Sequence, residues 1–359
     1  MDDLVVNLET PAPHRIRFGE TNRFTGIALD LSGVRIRQVS ALLDGRIAAH
    51  TAVDRESPEI GRGLPRVAGA ERCRFSVELS VPAEAARLSF EAALADGTGQ
   101  ELFAVDLTEL RRDRERLHAM ARAIDAVPLP PPEIVALTQG HGDAAAYRES
   151  ILPGIVNARR YLERSGFDAS RLRSLLDFGC GSGRLLAGWH AEDPSRELFG
   201  CDIRPALVGW ARENLPVGIS VFQSPPQPPL ALADGRFDLV LAVSVFTHLG
   251  LERQSLWAEE FRRLVRPGGA LLATFHGEVY ARLLDADQLR VLERKGFLEN
   301  AAGEEGSNLF TTYHTSDFAA RLFAGFELAG FFPSGRIGGE RVLFPLASLQ
   351  DVAVFQRQA

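Results

Sequence analysis

The sequence predicts a two-domain chain: an all-β sandwich of immunoglobulin-like type, followed by an α/β domain built on a seven-stranded, doubly wound, Rossmann-like sheet. Three observations predict it. Apolar residues alternate from His14 to Leu107, a charged helical stretch closed by prolines follows, and from Ser174 onward short apolar runs alternate with amphipathic segments. At 359 residues the chain also exceeds the size at which single cores usually stop growing, so a boundary is expected on length alone.

The first domain rests on runs such as Phe75, Val77, Leu79 and Leu88, Phe90, Ala92, Leu94, whose period of two is that of half-buried strands. Asp44-Gly45 and Asp96-Gly97 readily take the positive φ angles of tight hairpins, and about seven short strands fit. A helix is expected from Glu109 to Ala126, ending at Pro128, Pro130, Pro131 and Pro132. The expected division is therefore 1–107 for the sandwich, 108–135 for a helical, Pro-rich linker and 136–359 for the α/β domain.

A second helical region, Ala144 to Arg164, leads into strands at Ser174–Phe178, Leu198–Cys201, Phe237–Val243, Ala270–Phe275, Phe326–Phe331 and Asp351–Gln356. Ser224 to Pro229 is proline-rich and reads as a surface loop, and Arg266-Pro267-Gly268-Gly269 reads as a turn. Helices are expected from Asp285 to Lys295 and, after Tyr313-His314, to Phe323.

Composition narrows the function. A content of 45 % hydrophobic and 24 % charged residues is that of a globular chain. The formal charge of −7 offers no positive field for a phosphate backbone, so nucleic acid is not an expected partner. Cys73, Cys180 and Cys201 form no spaced framework, which suits a reducing cytoplasm. The start Met1-Asp2-Asp3 lacks a basic-then-apolar pattern, and no apolar run reaches membrane-span length. The sequence allows a homo-oligomer without specifying one.

The chemistry concentrates in LLDFGCGSGRLL, Leu175 to Leu186, where an apolar strand runs through Gly179, Gly181 and Gly183 into an amphipathic helix. Glycines there permit positive φ and a close ligand approach. The spacing is GxGxG, with Arg184 where a dinucleotide fingerprint wants Gly or Ala, and Asp177 would repel a pyrophosphate while favouring a cation. The next strand ends in Asp202, 19 positions after Gly183, where a carboxylate can accept hydrogen bonds from both ribose hydroxyls.

These residues, followed in order by FDLVLAVSVFTHL (Phe237 to Leu249) and LVRPGGALLATFHG (Leu264 to Gly277), resemble the class I S-adenosylmethionine-dependent methyltransferases. The resemblance implies that Asp177, Gly179, Cys180, Gly181 and Gly183 surround the methionine part of S-adenosyl-L-methionine. It further implies that Asp202 holds the ribose, that Phe222, Gln223 and Ser224 flank the adenine, and that Ile203, Ser244 and Phe246 are further cofactor contacts. Gln223 and Ser224 stand where the family often has an acid. Tyr147 is a candidate to close over the cofactor, with core packing as its bland alternative.

His276 and His248 follow strands that end at the expected crevice, so either could take a proton from an acceptor hydroxyl, and either could be structural. Tyr313 and His314 either line the acceptor pocket or pack at a helix start. No His/Cys cluster has metal-ligand spacing, so no metal is expected. The first domain loosely resembles β-rich modules attached to bacterial glycan-building enzymes in its RIRF, LLDG and ALADG segments, which implies a saccharide, glycoconjugate or small hydroxylated acceptor. Two rivals stand beside O-methylation: an inactive S-adenosylmethionine-binding scaffold whose β-domain binds a glycan or protein partner, and an oxidoreductase on a related nucleotide fold.

Overall fold

The computed structural model describes residues 4–64, 67–93, 99–139, 142–301, 303–307, 309–342, 346–347 and 349–358. Its internal contacts form two units, Met1–Ala119 with Gly338–Phe344, and Met120–Ile337 with Pro345–Ala359.

The first unit contains strands β1 (Leu4–Thr10), β2 (Thr21–Asp30), β3 (Gln38–Leu43), β4 (Arg46–Ala52), β5 (Arg74–Ser80), β6 (Arg87–Ala93) and β7 (Gly99–Asp106), with helix α1 (Pro58–Gly63) between β4 and β5. They pair antiparallel as β1-β2-β5 and β4-β3-β6-β7. Phe24 and Phe75 of one sheet meet Phe90 of the other, with Phe24 and Phe90 edge to face at 5.4 Å, so the two sheets share an aromatic core. Asp44 (φ 49°) and Gly45 (φ 79°) form the β3–β4 turn with the positive angles a tight hairpin requires. The other expected turn, Asp96-Gly97, lies outside the described residues.

The helix expected from Glu109 to Ala126 is two helices, α2 (Leu107–Arg112) and α3 (Arg114–Asp125), interrupted at Asp113. Asp106 caps α2 by accepting from Thr108 N and Glu109 N. The division between the units falls inside α3, and the later segment 338–342 rejoins the first unit through Arg341, which donates to Leu4 O, Glu101 O and Leu102 O.

The second unit opens with α4 (Pro132–Gln139), α5 (Ala144–Glu149) and α6 (Ile151–Arg164). Pro132 is therefore the first residue of a helix, where its missing N–H is harmless, and the expected Ala144–Arg164 helix breaks at Ser150. Strand and helix then alternate: β8 (Ser174–Phe178), α7 (Arg184–Glu192), β9 (Glu197–Asp202), α8 (Pro205–Asn214), β10 (Ile219–Gln223), β11 (Phe237–Ala242), α9 (Leu251–Leu264) and β12 (Val265–Phe275). After α10 (Glu278–Ala281) and α11 (Ala286–Lys295) come the hairpin β13 (Phe297–Ala301) and β14 (Phe310–His314), α12 (Ser316–Leu322), β15 (Phe326–Phe332) and β16 (Asp351–Arg357).

The seven-stranded sheet runs β10-β9-β8-β11-β12-β16-β15, parallel as far as β12 and antiparallel through β16. The order reverses between β8 and β11, so a crevice opens beyond their carboxyl ends. All six residues of β11 are buried, as expected of a central strand covered on both faces. Arg266-Pro267-Gly268-Gly269 is not a separate turn but an irregular stretch inside β12, where pairing with β11 jumps from Val265 to Ala270 and Gly268 takes φ 75°. The β13–β14 hairpin was not legible, and it moves Tyr313 and His314 from a helix start into a strand.

Candidate cofactor and acceptor site

At the switch point β8 delivers Asp177 and then the loop Gly179–Gly183, whose three glycines take φ 75°, 58° and 85°. The close approach they permit is first of all to the protein itself. A Cβ on Gly179 would stand 2.5 Å from Val245 Cγ2, one on Gly181 2.6 Å from Thr138 Cγ2, and one on Gly183 2.4 Å from Leu215 Cδ1. To the two expected reasons for glycine, positive φ and ligand approach, the structure adds a third: helix α4, the end of α8 and the turn after β11 are packed onto the loop.

Asp177 is 2 % exposed, and its carboxylate has no hydrogen-bond partner among the described residues. Burial pushes its pKa up to about 7, opposed by Arg184 and reinforced by Asp202. Arg184 does not run out to solvent: it is half-buried and donates to Ser150 O, Ser150 Oγ and Leu346 O. Asp202, at the end of β9, accepts from Gly181 N and Arg204 N, both at 2.9 Å, so it ties the glycine loop to the second strand. Its pKa is raised by burial, against the pull of those backbone donors.

Around this pair, Tyr147 of α5 is buried and its hydroxyl meets Ser182 Oγ at 2.9 Å, which brings that helix over the glycine loop. Ile203 is exposed and Phe222 half-buried. The Gln223 amide donates to Ile203 O, while Ser224 is buried with its N–H on Asp202 O. Ser244, after β11, is half-buried with φ 57°.

Two of the expected cofactor contacts are corrected. Phe246 is fully buried among Phe261, Phe275 and Phe323, so its ring belongs to the core. Cys180 turns its thiol under Gly200, where a Cβ would lie 2.9 Å from Sγ, and toward Gly181 O at 3.6 Å. Gly183 is the N-cap of α7, and a Cβ there would meet Leu215.

The candidate bases separate. His314 is corrected: it is 2 % exposed between Phe275 and Phe297, its Nε2 pairs with Gln254 Oε1 at 2.9 Å, and burial drives its pKa to about 3. His276 and His248 do come together, with ring centroids 6.1 Å apart. His276 places Nδ1 3.2 Å from Thr312 O, which fixes the proton there and leaves Nε2 as an acceptor. Burial, then the neighbouring His248, lowers its pKa to about 3. His248 is half-buried on Phe310 O, and burial also lowers its pKa. Tyr313 packs beside His276 and in a small cluster with Ala281 and Leu292, closer to core than to an open wall.

Three groups had no sequence signal. Thr138 sits on the loop, Gln350 bonds Ser244 and Thr274, and Asp351 accepts from Ser334 N while burial pushes its pKa up to about 6. Asp351 also explains Gly277, whose Cβ would stand 1.8 Å from Asp351 Oδ2.

Residues 176–273, which run from β8 through β12, match the family model described as a methyltransferase domain. Over that segment the chain carries a methyltransferase domain. A curated relative, O-methyltransferase 3 of Dictyostelium discoideum, is 24 % identical over 177 residues, covering 46 % of this chain and 38 % of the relative. Solved structures similar to the methyltransferase domain include an S-adenosylmethionine-dependent methyltransferase from Methanosarcina mazei, 18 % identical with a TM-score of 0.41, covering 56 % of this chain and 96 % of that one. Another is an amino pentose methyltransferase from Micromonospora echinaspora with S-adenosylmethionine bound, 18 % identical with a TM-score of 0.40, covering 58 % and 91 %.

Proposed function

We propose that the protein is an O-methyltransferase whose acceptor is a glycan, glycoconjugate or small hydroxylated metabolite. The observation that carries the cofactor half of this reading is the pair of buried carboxylates at the switch point, one of them, Asp177, without a hydrogen-bond partner among the described residues. A carboxylate so placed is stabilised by a cation, and the methionine end of S-adenosylmethionine presents an ammonium and a sulfonium. Asp202, with acceptor capacity beyond its two backbone donors, would hold the ribose hydroxyls, and Ile203, Phe222 and Gln223 would border the adenine. Bound there, the cofactor supplies an already activated methyl group.

The remaining work falls to the protein: aligning the acceptor, excluding water and receiving one proton. His276 Nε2 is the best-placed acceptor of that proton, with His248 beside it. Oxygen as the methylated atom is supported by this neutral imidazole pair and by the printed name of the Dictyostelium relative. The β-rich first unit, proposed as an accessory domain for the acceptor, supports a saccharide. A cytoplasmic location is consistent with three free cysteine thiols, and among the described residues no helix is long and apolar enough to cross a membrane.

One observation favours the scaffold reading: a pKa of about 3 makes His276 a weak base. The test is methyl transfer from labelled S-adenosylmethionine to a panel of saccharides, hydroxylated small molecules and proteins. O-methyl product, reduced about 10²- to 10⁴-fold by His276→Gln, is the expected result. Cofactor binding with no product on any acceptor selects the scaffold.

A further inference from the structure

Ser244 lies at the end of the central strand, beside the glycine loop, in a left-handed conformation that a side chain disfavours. A ring of hydrogen bonds holds it there, with Ser244 Oγ also donating to Gln350 Oε1 at 3.2 Å. Ser244 N donates to Thr274 Oγ1 at 2.8 Å, Thr274 Oγ1 donates to Gln350 Oε1 at 2.6 Å, and Gln350 Nε2 donates to Ser244 Oγ at 2.9 Å. Thr274 and Gln350 are 0 % and 6 % exposed and Ser244 is half-buried, so the Thr274–Gln350 bond of this ring lies in the interior, where it cannot be exchanged for water without cost. Gln350 comes from the antiparallel side of the sheet, just ahead of β16, and follows Leu349, itself at φ 59°.

The turn at Ser244 aims the next residue. Val245 occupies the space a Gly179 side chain would fill, with Cγ2 2.5 Å from that Cβ position. A continuous run of contacts therefore leads from Gln350 through Ser244 and Val245 to the first glycine of the loop.

We propose that Gln350 is a positioning residue for the cofactor site: it holds Ser244 left-handed so that Val245 backs the glycine loop. The inference rests on the reading of that loop as the S-adenosylmethionine site. Its test uses the full chain and S-adenosylhomocysteine, with affinity measured by calorimetry and folding followed by circular dichroism and thermal melting.

Gln350→Met keeps the length of the side chain and removes both polar atoms. It should weaken binding about tenfold while the protein stays folded. Ser244→Gly added to Gln350→Met should recover affinity to within about threefold of Ser244→Gly alone, because glycine takes positive φ freely and no longer needs the ring to hold it there. Wild-type affinity in Gln350→Met, or a double variant as weak as the single one, overturns the proposal. Should Gln350→Met not fold, Thr274→Val breaks the same ring and carries the same expected loss, rescue and contrary outcomes. A wild-type chain that does not bind S-adenosylhomocysteine defeats the cofactor reading and this inference with it.

Discussion

Asp177 and Asp202 are neighbouring carboxylates in different surroundings. Asp202 is compensated by two backbone N–H groups, whereas Asp177 has burial and only the partial opposition of Arg184, which leaves its pKa near 7 instead of 3.8. Because the folded value lies above the unfolded one, the folded chain holds a proton there that the unfolded chain releases. The associated stability is full below the ordinary carboxylate range and is lost as pH rises toward 7. A cationic ligand reverses the preference by favouring the ionised form. Affinity for S-adenosylhomocysteine should therefore rise with pH up to about 7 and then level off, and Asp177→Asn should flatten that rise. Calorimetry at several pH values checks this, and an unaltered pH profile in the variant would remove Asp177 from the site. The type of residue at 177 was readable from sequence. Its isolation was not, because that depends on which donors three other segments fail to bring.

At the scale of elements, the glycine loop is gripped from several sides. Strand alternation and the glycine spacing announced β8, the loop and α7, and Asp-Gly announced the β3–β4 turn, because each is a local pattern. The contact of α4 with Gly181 and the pairing of His314 with Gln254 in the core were not legible, since both join segments distant in sequence. Phe246 was misassigned for a related reason: an aromatic at a strand end reads the same whether the turn aims it at a ligand or at the core. Gly181→Ala should lower stability by about 1–3 kcal/mol, from positive φ and the collision with Thr138, and should weaken cofactor binding. Thr138→Ala in the same chain should recover part of both, measured by denaturant unfolding and by titration. No recovery would mean that backbone strain alone sets the loss.

At the scale of the whole chain, the two units divide labour by composition as well as by contacts: antiparallel sheets with an aromatic core in one, the α/β sheet with the glycine loop in the other. A two-part organisation was visible in the change of apolar period. The return of 338–342 to the first unit was not, because Arg341 makes that connection through backbone carbonyls, which leave no sequence signature. Arg341→Ala should loosen the first unit by about 1–2 kcal/mol while leaving the cofactor site intact. Hydrogen exchange should then quicken in β1 and β7 with affinity for S-adenosylhomocysteine unchanged; a parallel loss of affinity would show that the first unit bears on the site.

The central claim, that the crevice between β8 and β11 is an S-adenosylmethionine site, is tested most directly by titrating the intact protein with S-adenosylhomocysteine in a calorimeter, with NADH as the control ligand. Saturable binding in the micromolar range is expected, with none of comparable strength for NADH and a weakening of about ten- to a hundredfold in Asp202→Ala from lost charge-assisted hydrogen bonds. Absence of binding, or full affinity in a folded Asp202→Ala, would contradict it.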